Sequence, residues 1–352
     1  MSRLRSLVIG LVSAVVVALL PSGAFASEAR QTYLLMPAPG AEQQLHSALR
    51  SIFEMPEATF TSVDNLLLVD LLPSDALALS QNPAVSFIEL DQAVTISDTQ
   101  APTPSWGLDR IDGGLNNSFS YPSSAGEGVV AYVFDTGVDA THPDLAGRVS
   151  QGFDVIGNNE ANTDCHYHGT HVAGTIAGTQ FGVAKDASVV PLRVLNCSGS
   201  GSYSGVIRAI NWVIATHPAG TPAVANLSLG GPKSSAVNIA IAAMVEAGIP
   251  TFVAAGNSYT DACTASPAST PEAITVGATD RFDNKAGFSN FGDCVDVFGP
   301  GVSIVSANAK NHAAPTSLSG TSMAAPHLAG IGALILSENP GATASQVEDQ
   351  IY

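Results

Sequence analysis

Charge is scarce in this sequence. Only 12% of its 352 residues are Asp, Glu, Lys or Arg, about half the usual share. Basic side chains are scarcer still: 13 against 30 acidic ones, for a net charge of -17. An acidic surface repels phosphate, which excludes nucleic acid and anionic membranes as partners. The deficit is spread along the chain, with +2 on residues 1–26, -8 on 27–98 and -11 on 99–352. There are only four cysteines, Cys165, Cys197, Cys263 and Cys294. They lie about 30 residues or more apart, without the close clustering that a tetrahedral zinc site needs. The longest apolar run, residues 7–20, is too short to cross about 30 Å of hydrocarbon. No Gly-x-Gly-x-x-Gly follows the first strand of the larger region, which removes a dinucleotide-binding oxidoreductase.

What the chain does have is an ordered succession of segments. Arg3 and Arg5, the apolar run, Pro21 and the small-residue site Ala24-Phe25-Ala26 have the anatomy of a secretory signal, with cleavage expected after Ala26. Export to an oxidising compartment makes two disulfides the expected state of the four cysteines, with three pairings possible. After the leader, strands are expected over 31–36, 65–71 and 85–90 and helices over 41–53 and 74–80. With a further strand at 58–62, this is a small ferredoxin-like β-α-β-β-α-β domain over 27–98. The polar, Pro-bearing stretch 95–105 reads as an exposed boundary. Beyond it, apolar runs at 129–134, 189–194, 223–227, 251–255 and 273–276 alternate with helical patterns at 169–178, 204–216 and 236–247. Such alternation predicts an α/β fold, a mainly parallel sheet with helices on both faces, over residues 99–352. Functional residues in such sheets gather at strand carboxyl ends, where Asp135 and Asn257 fall.

Three segments stand out: Asp135-Thr136-Gly137, His168-Gly169-Thr170-His171 and Gly320-Thr321-Ser322-Met323-Ala324-Ala325-Pro326. Singly, each reads as ordinary structure, since an Asp at a strand end or a Ser opening a helix is commonly a cap. Together, FDTGVDATHPDL, HGTHVAGTIAG, NLSLGG, AAGN and GTSMAAPHLAG resemble the signature blocks of the subtilase family, in its order Asp, His, Ser. The stretches WGLDRID, PLRVLNCSGSGS and FSNFGDCVDVFGPG are most similar to the proteinase K branch, in particular its aqualysin-like bacterial members.

The resemblance implies a secreted serine endopeptidase with Asp135, His168 and Ser322 as catalytic triad. The residue chemistry agrees: a Ser hydroxyl attacks a peptide carbonyl only when a base takes its proton, and a buried Asp can hold the second nitrogen of that base. His171, one turn on, reads as structural. A helix opening at Ser322 places its positive dipole end beside developing negative charge, and Asn257 matches the family's oxyanion donor. Ser198, Gly199, Ser200, Gly201 and Tyr203, with Ser228, Leu229 and Gly230, match the two strands that pair with an extended peptide. Their glycines imply a roomy first pocket, broad specificity with apolar or aromatic preference, and Tyr203 at the rim of a more distant pocket. The expected partners are protein and peptide substrates, with no organic cofactor and no obligate oligomer. Structural calcium is implied at Pro271, Ala273 and Asp296, and a second site at Asp109 and Asp112 lacks expected ligands after Gly113. The implied bridges are Cys165 to Cys197 and Cys263 to Cys294. Residues 27–98 resemble the inhibitor-type propeptide, cut within 97–101. Three features depart from the family pattern: Tyr167 where Gly usually precedes the His, Ala325 in place of Thr, and a chain that stops at Tyr352. They leave a catalytically silent, subtilase-like binding protein as the alternative.

Overall fold

The structure is a computed structural model that describes residues 30–52, 59–60, 66–91, 97–157 and 160–352. The expected leader, 1–26, lies outside the described residues. Contacts divide the chain into two units, Met1–Ala93 and Val94–Tyr352.

In the smaller unit, β1 (Gln31–Pro37), α1 (Glu42–Ile52), β2 (Thr59–Phe60), β3 (Leu67–Leu71), α2 (Pro73–Ser80) and β4 (Val85–Leu90) follow one another. The strands pair antiparallel in the order β2-β3-β1-β4. Leu67, Val69 and Leu71 alternate inward along β3, because successive side chains on a strand point to opposite faces. They join Leu35, Leu45, Leu49 and Leu79 in a core of their own.

The larger unit runs β5 (Ser97–Gln100), α3 (Trp106–Ile111), β6 (Phe119–Pro122), β7 (Val130–Asp135), β8 (Phe153–Asp154), α4 (His168–Ala177), β9 (Ser188–Arg193), α5 (Tyr203–Thr216) and β10 (Ala223–Leu227). It continues through β11 (Gly231–Pro232), α6 (Ser235–Glu246), β12 (Thr251–Ala254), β13 (Ala265–Ser266), β14 (Ile274–Thr279), β15 (Val297–Pro300), β16 (Ile304–Ser306), β17 (Thr316–Leu318), α7 (Thr321–Glu338) and α8 (Ala344–Ile351). Within the stretch read as a boundary, Ser97–Gln100 pairs antiparallel with Phe119–Pro122. That pairing is made by backbone groups and leaves most of the β5 side chains exposed, so it writes no periodicity into the sequence.

Seven strands form one parallel sheet in the order β15-β14-β12-β10-β7-β9-β8. Alternate residues feed two cores. Ala131 and Val133 of β7 pack with α4, α7 and α8, whereas Tyr132 and Phe134 pack with α5 and α6. Strand order reverses beside β7: the chain goes first to β8 at the edge, returns inward to β9, then crosses over β7 to β10. Open α/β sheets bind ligands at the carboxyl ends of strands at such a reversal, and Asp135 ends β7 while Ser228 follows β10.

Candidate active site

Asp135 is wholly buried at the end of β7. One carboxylate oxygen accepts the Thr136 backbone N–H at 2.7 Å, and the two oxygens lie 2.8 and 2.9 Å from His168 Nδ1. His168 is the first residue of α4, and its approach depends on the next position. A Cβ at Gly169 would lie 2.0 Å from the Gly137 carbonyl oxygen, so only Gly lets helix and strand end meet. Burial works to lower the His168 pKa; the charge and hydrogen bond of Asp135, helped by Asp164, outweigh it and hold the imidazole above its ordinary value.

Asp164 carried no expectation from the sequence, yet it organises this helix start. Its Oδ1 accepts from Thr136 Oγ1 and from the His166 and Tyr167 backbone N–H groups at 2.8–3.0 Å. Its Oδ2 accepts from the Thr170 N–H and hydroxyl, both at 2.8 Å. An Asp shortly before a helix is a capping signal, so this role could have been read in advance. His171, fully buried, donates Nε2–H to the Ile304 carbonyl at 3.0 Å, and burial pushes its pKa down to about 3.

Ser322 is the second residue of α7, where a backbone N–H has no intrahelical acceptor. Four residues on stands Pro326, which has no N–H to offer the Ser322 carbonyl. Ser228 takes its place: its hydroxyl donates to the Ser322 carbonyl at 2.8 Å, and the Ser322 hydroxyl donates back to the Ser228 carbonyl at 3.1 Å. Buried Asn226 donates to the Ser228 hydroxyl at 2.9 Å and fixes its direction. The Ser322 hydroxyl therefore points to Ser228 and makes no hydrogen bond to His168, which lines the same cleft as Ser228.

Asn257 is held by its carbonyl end. Its Oδ1 accepts from the Thr321 N–H at 2.8 Å and hydroxyl at 3.0 Å, which leaves Nδ2 free to donate elsewhere. Asn290, 3% exposed, braces this loop by donating to the Ala255 carbonyl and accepting from the Ser258 and Thr260 N–H groups. Nothing in the local sequence marks Asn290, because its partners lie about thirty residues away.

Ser198, Gly199, Ser200, Gly201 and Tyr203 face Ser228, Leu229 and Gly230 across a cleft of about 530 Å³. The Tyr203 hydroxyl donates to the Pro232 carbonyl at 2.6 Å and ties the two walls together. A second cavity of about 410 Å³ is lined by small residues, including Gly230, Ala254, Ala255, Gly256 and Ala268, with Asn257 and Ser322 at its edge.

Both bridges, Cys165–Cys197 and Cys263–Cys294, are formed. With sequence separations of 32 and 31 between partners, loop-closure entropy makes each worth about 3 to 4 kcal/mol. The first packs against buried Arg193, whose guanidinium lies 3.6 and 3.7 Å from its two sulfurs. No cluster of three His, Cys, Asp or Glu side chains able to hold a metal occurs among the described residues, so a cation would have to take carbonyl oxygens. Asp296 exchanges two hydrogen bonds with Thr275, of 2.7 and 3.0 Å, on the strand that follows Pro271 and Ala273; carboxylate and carbonyl oxygens are the hard donors calcium takes. Asp109 and Asp112 instead accept from the backbone N–H groups of Asn116, Ser118 and Ser120, closing their own turn.

Residues 126–352 match the model of the subtilase family, Peptidase S8. The chain is 44% identical over 316 residues to the extracellular serine proteinase of Thermus sp. strain Rt41A, covering 89% of this chain and 76% of that one. It is also 44% identical to alkaline serine exoprotease A of Vibrio alginolyticus, of whose length it spans 55%. The crystal structure of a cold adapted subtilisin-like serine proteinase superposes with a TM-score of 0.67 at 46% identity, covering 71% of this chain and 90% of that one. With the parallel sheet and the paired Asp135 and His168, these matches establish that the chain belongs to the subtilase family of serine proteinases.

Proposed function

We propose that this protein is a secreted endopeptidase that cuts peptide bonds through an acyl-enzyme, with Asp135, His168 and Ser322 as its triad. One observation carries the reading: a carboxylate-held imidazole lines the cleft walled by Ser228, and Ser228 holds a serine at a helix start that lines the adjoining cavity with an Asn whose amide nitrogen is free. Ser322 Oγ turns from the Ser228 carbonyl to His168 Nε2, gives up its proton and attacks the scissile carbonyl. His168 Nδ1–H stays on Asp135, which stabilises the imidazolium. The oxyanion takes the Ser322 N–H and Asn257 Nδ2, with the positive end of α7 behind them. His168 then protonates the leaving amine, and water repeats the sequence on the ester.

The Gly- and Ala-lined cavity supports broad specificity with an apolar or aromatic residue before the cut, and the facing walls support strand-like binding of the peptide. Calcium bound by Pro271, Ala273 and Asp296 would stabilise the loops there. Residues 27–98 would serve as an intramolecular inhibitor removed by self-cleavage within 97–101, leaving a monomeric extracellular enzyme.

The test is the intact mass and N-terminal sequence of the secreted wild type beside Ser322→Ala, each with and without calcium, together with fluorophosphonate labelling. The expected result is a wild-type chain cut near residue 99, labelled at Ser322, and an uncut, unlabelled variant. Two uncut and unlabelled chains would overturn the proposal in favour of a silent binding protein.

A further inference from the structure

Two tyrosines beside the site adopt backbone angles that side chains disfavour. Tyr167, directly before His168, has φ +98°, and Tyr259, two residues after Asn257, has φ +53°. Left-handed angles at bulky residues are strained and cluster at functional sites. Each tyrosine lies between two residues that line a cavity: His166 and His168 in the first, Ser258 and Thr260 in the second. Neither tyrosine lines the cavity itself; each adjoins it through the backbone of its two lining neighbours.

Each ring also carries a lysine at the same distance. Lys310 Nζ is 4.4 Å from the Tyr167 ring centre, and that ring stacks on His166 at 4.6 Å. Lys285 Nζ is 4.4 Å from the Tyr259 ring and 5.4 Å from Phe291, which meets Tyr259 edge-on at 5.3 Å. Among the described residues neither lysine has an ion-pair partner. Nearby carboxylates are engaged elsewhere: Asp283 pairs with Arg110 at 2.8 Å, Asp280 accepts from Phe282 and Asn284 of its own turn, and Asp139 holds His312 at 2.7 Å. The last contact also steadies the loop between β16 and β17 that carries Lys310. A chain with 30 acidic and only 13 basic residues thus keeps two ammonium groups with no ion-pair partner among the described residues, each over the ring of a tyrosine whose chain neighbours line a cavity.

We propose that the Tyr167–Lys310 and Tyr259–Lys285 pairs are specificity elements that select polypeptide segments with Asp or Glu flanking the cut. The inference rests on the proteolytic reading above. An exposed ammonium held by a ring face keeps its field, because cation–π contact leaves the charge intact. A carboxylate within several ångströms gains about three- to tenfold in productive encounter per lysine at low ionic strength. Without these lysines an acidic substrate would meet only an anionic protein.

The experiment uses blocked octapeptides with one apolar residue before the cut and Gln elsewhere, in which single flanking Gln residues are replaced by Glu or by Lys. The Glu-to-Lys ratio of kcat/KM is measured for the secreted enzyme and for Lys310→Met, Lys285→Met and the double variant, at ionic strengths of about 0.01 and 0.5 M, where screening lengths differ about sevenfold. The expected wild-type ratio exceeds one at low salt, falls about three- to tenfold in each single variant and disappears in the double variant and at high salt. A wild-type ratio of one or below, or a preference that persists in the double variant, would overturn the proposal. Failure to cut even the Gln peptides would instead overturn the proteolytic reading.

Discussion

At the scale of single residues, the proposed base, His168, owes its state to more than Asp135. Asp164 caps α4 and adds its charge to the field on His168. Asp164→Asn keeps one acceptor oxygen but removes the charge, so the His168 pKa falls and the acidic limb of kcat/KM moves to lower pH. The broken cap costs about 1 kcal/mol of stability. A pH profile of the variant checks this: a role in holding shape alone would lower the rate and leave the limb in place.

At the scale of elements, a proline inside a helix and a serine after a strand form one device. Pro326 leaves the Ser322 carbonyl without its helical donor, and Ser228 supplies one. Ser228→Ala is expected to cost about 1 to 3 kcal/mol, because the carbonyl becomes a buried, unpaired acceptor. Adding Pro326→Ala restores a backbone N–H and should recover most of that stability, while the Ser322 hydroxyl keeps its bond to the residue 228 carbonyl throughout. Urea unfolding and kcat on the two single variants and the double variant check this; losses that simply add would show that the two residues are not coupled. The partnership was not legible in the sequence, since 94 positions separate Ser228 from the Ser322 carbonyl that it serves. Elements buried on both faces were legible: β7, β9, β10, β12 and β14 appear as apolar runs because parallel strands meet no water. Asp135, His168, Ser322 and Asn257 were legible because their neighbours match the family blocks. Two-residue strands such as β8, β11 and β13 were not, because backbone pairing holds them and leaves no side-chain pattern.

At the scale of the whole molecule, buried imidazoles set the acid limit. His171 and His327 are held neutral, with pKa values lowered by burial to about 3 and about 4. Each takes up a proton readily only when the chain unfolds, where its value is near 6.5. The unfolded state therefore binds more protons, and the contribution present above pH 6.5 is lost as pH falls toward 4, at about 1.4 kcal/mol per unit per histidine. The raised His168 acts in the opposite sense, against these two and against His142 and His217, which burial also lowers. Urea midpoints of Ser322→Ala at pH 7.5 and pH 5 should fall markedly, in a range where most carboxylates stay ionised; a flat profile would contradict the burial of these rings.

The sheet order also sets a clock. Helix α7 covers the middle of one face, packing on β10, β12 and β14, and it begins only at Thr321. A ribosome must release more than three hundred residues before that face can close, and Ser322, the proposed nucleophile, arrives on the same helix. On that reading a half-made chain carries Asp135 and His168 and still cuts nothing, so the cell that makes this serine proteinase meets its chemistry only when the sheet is nearly whole.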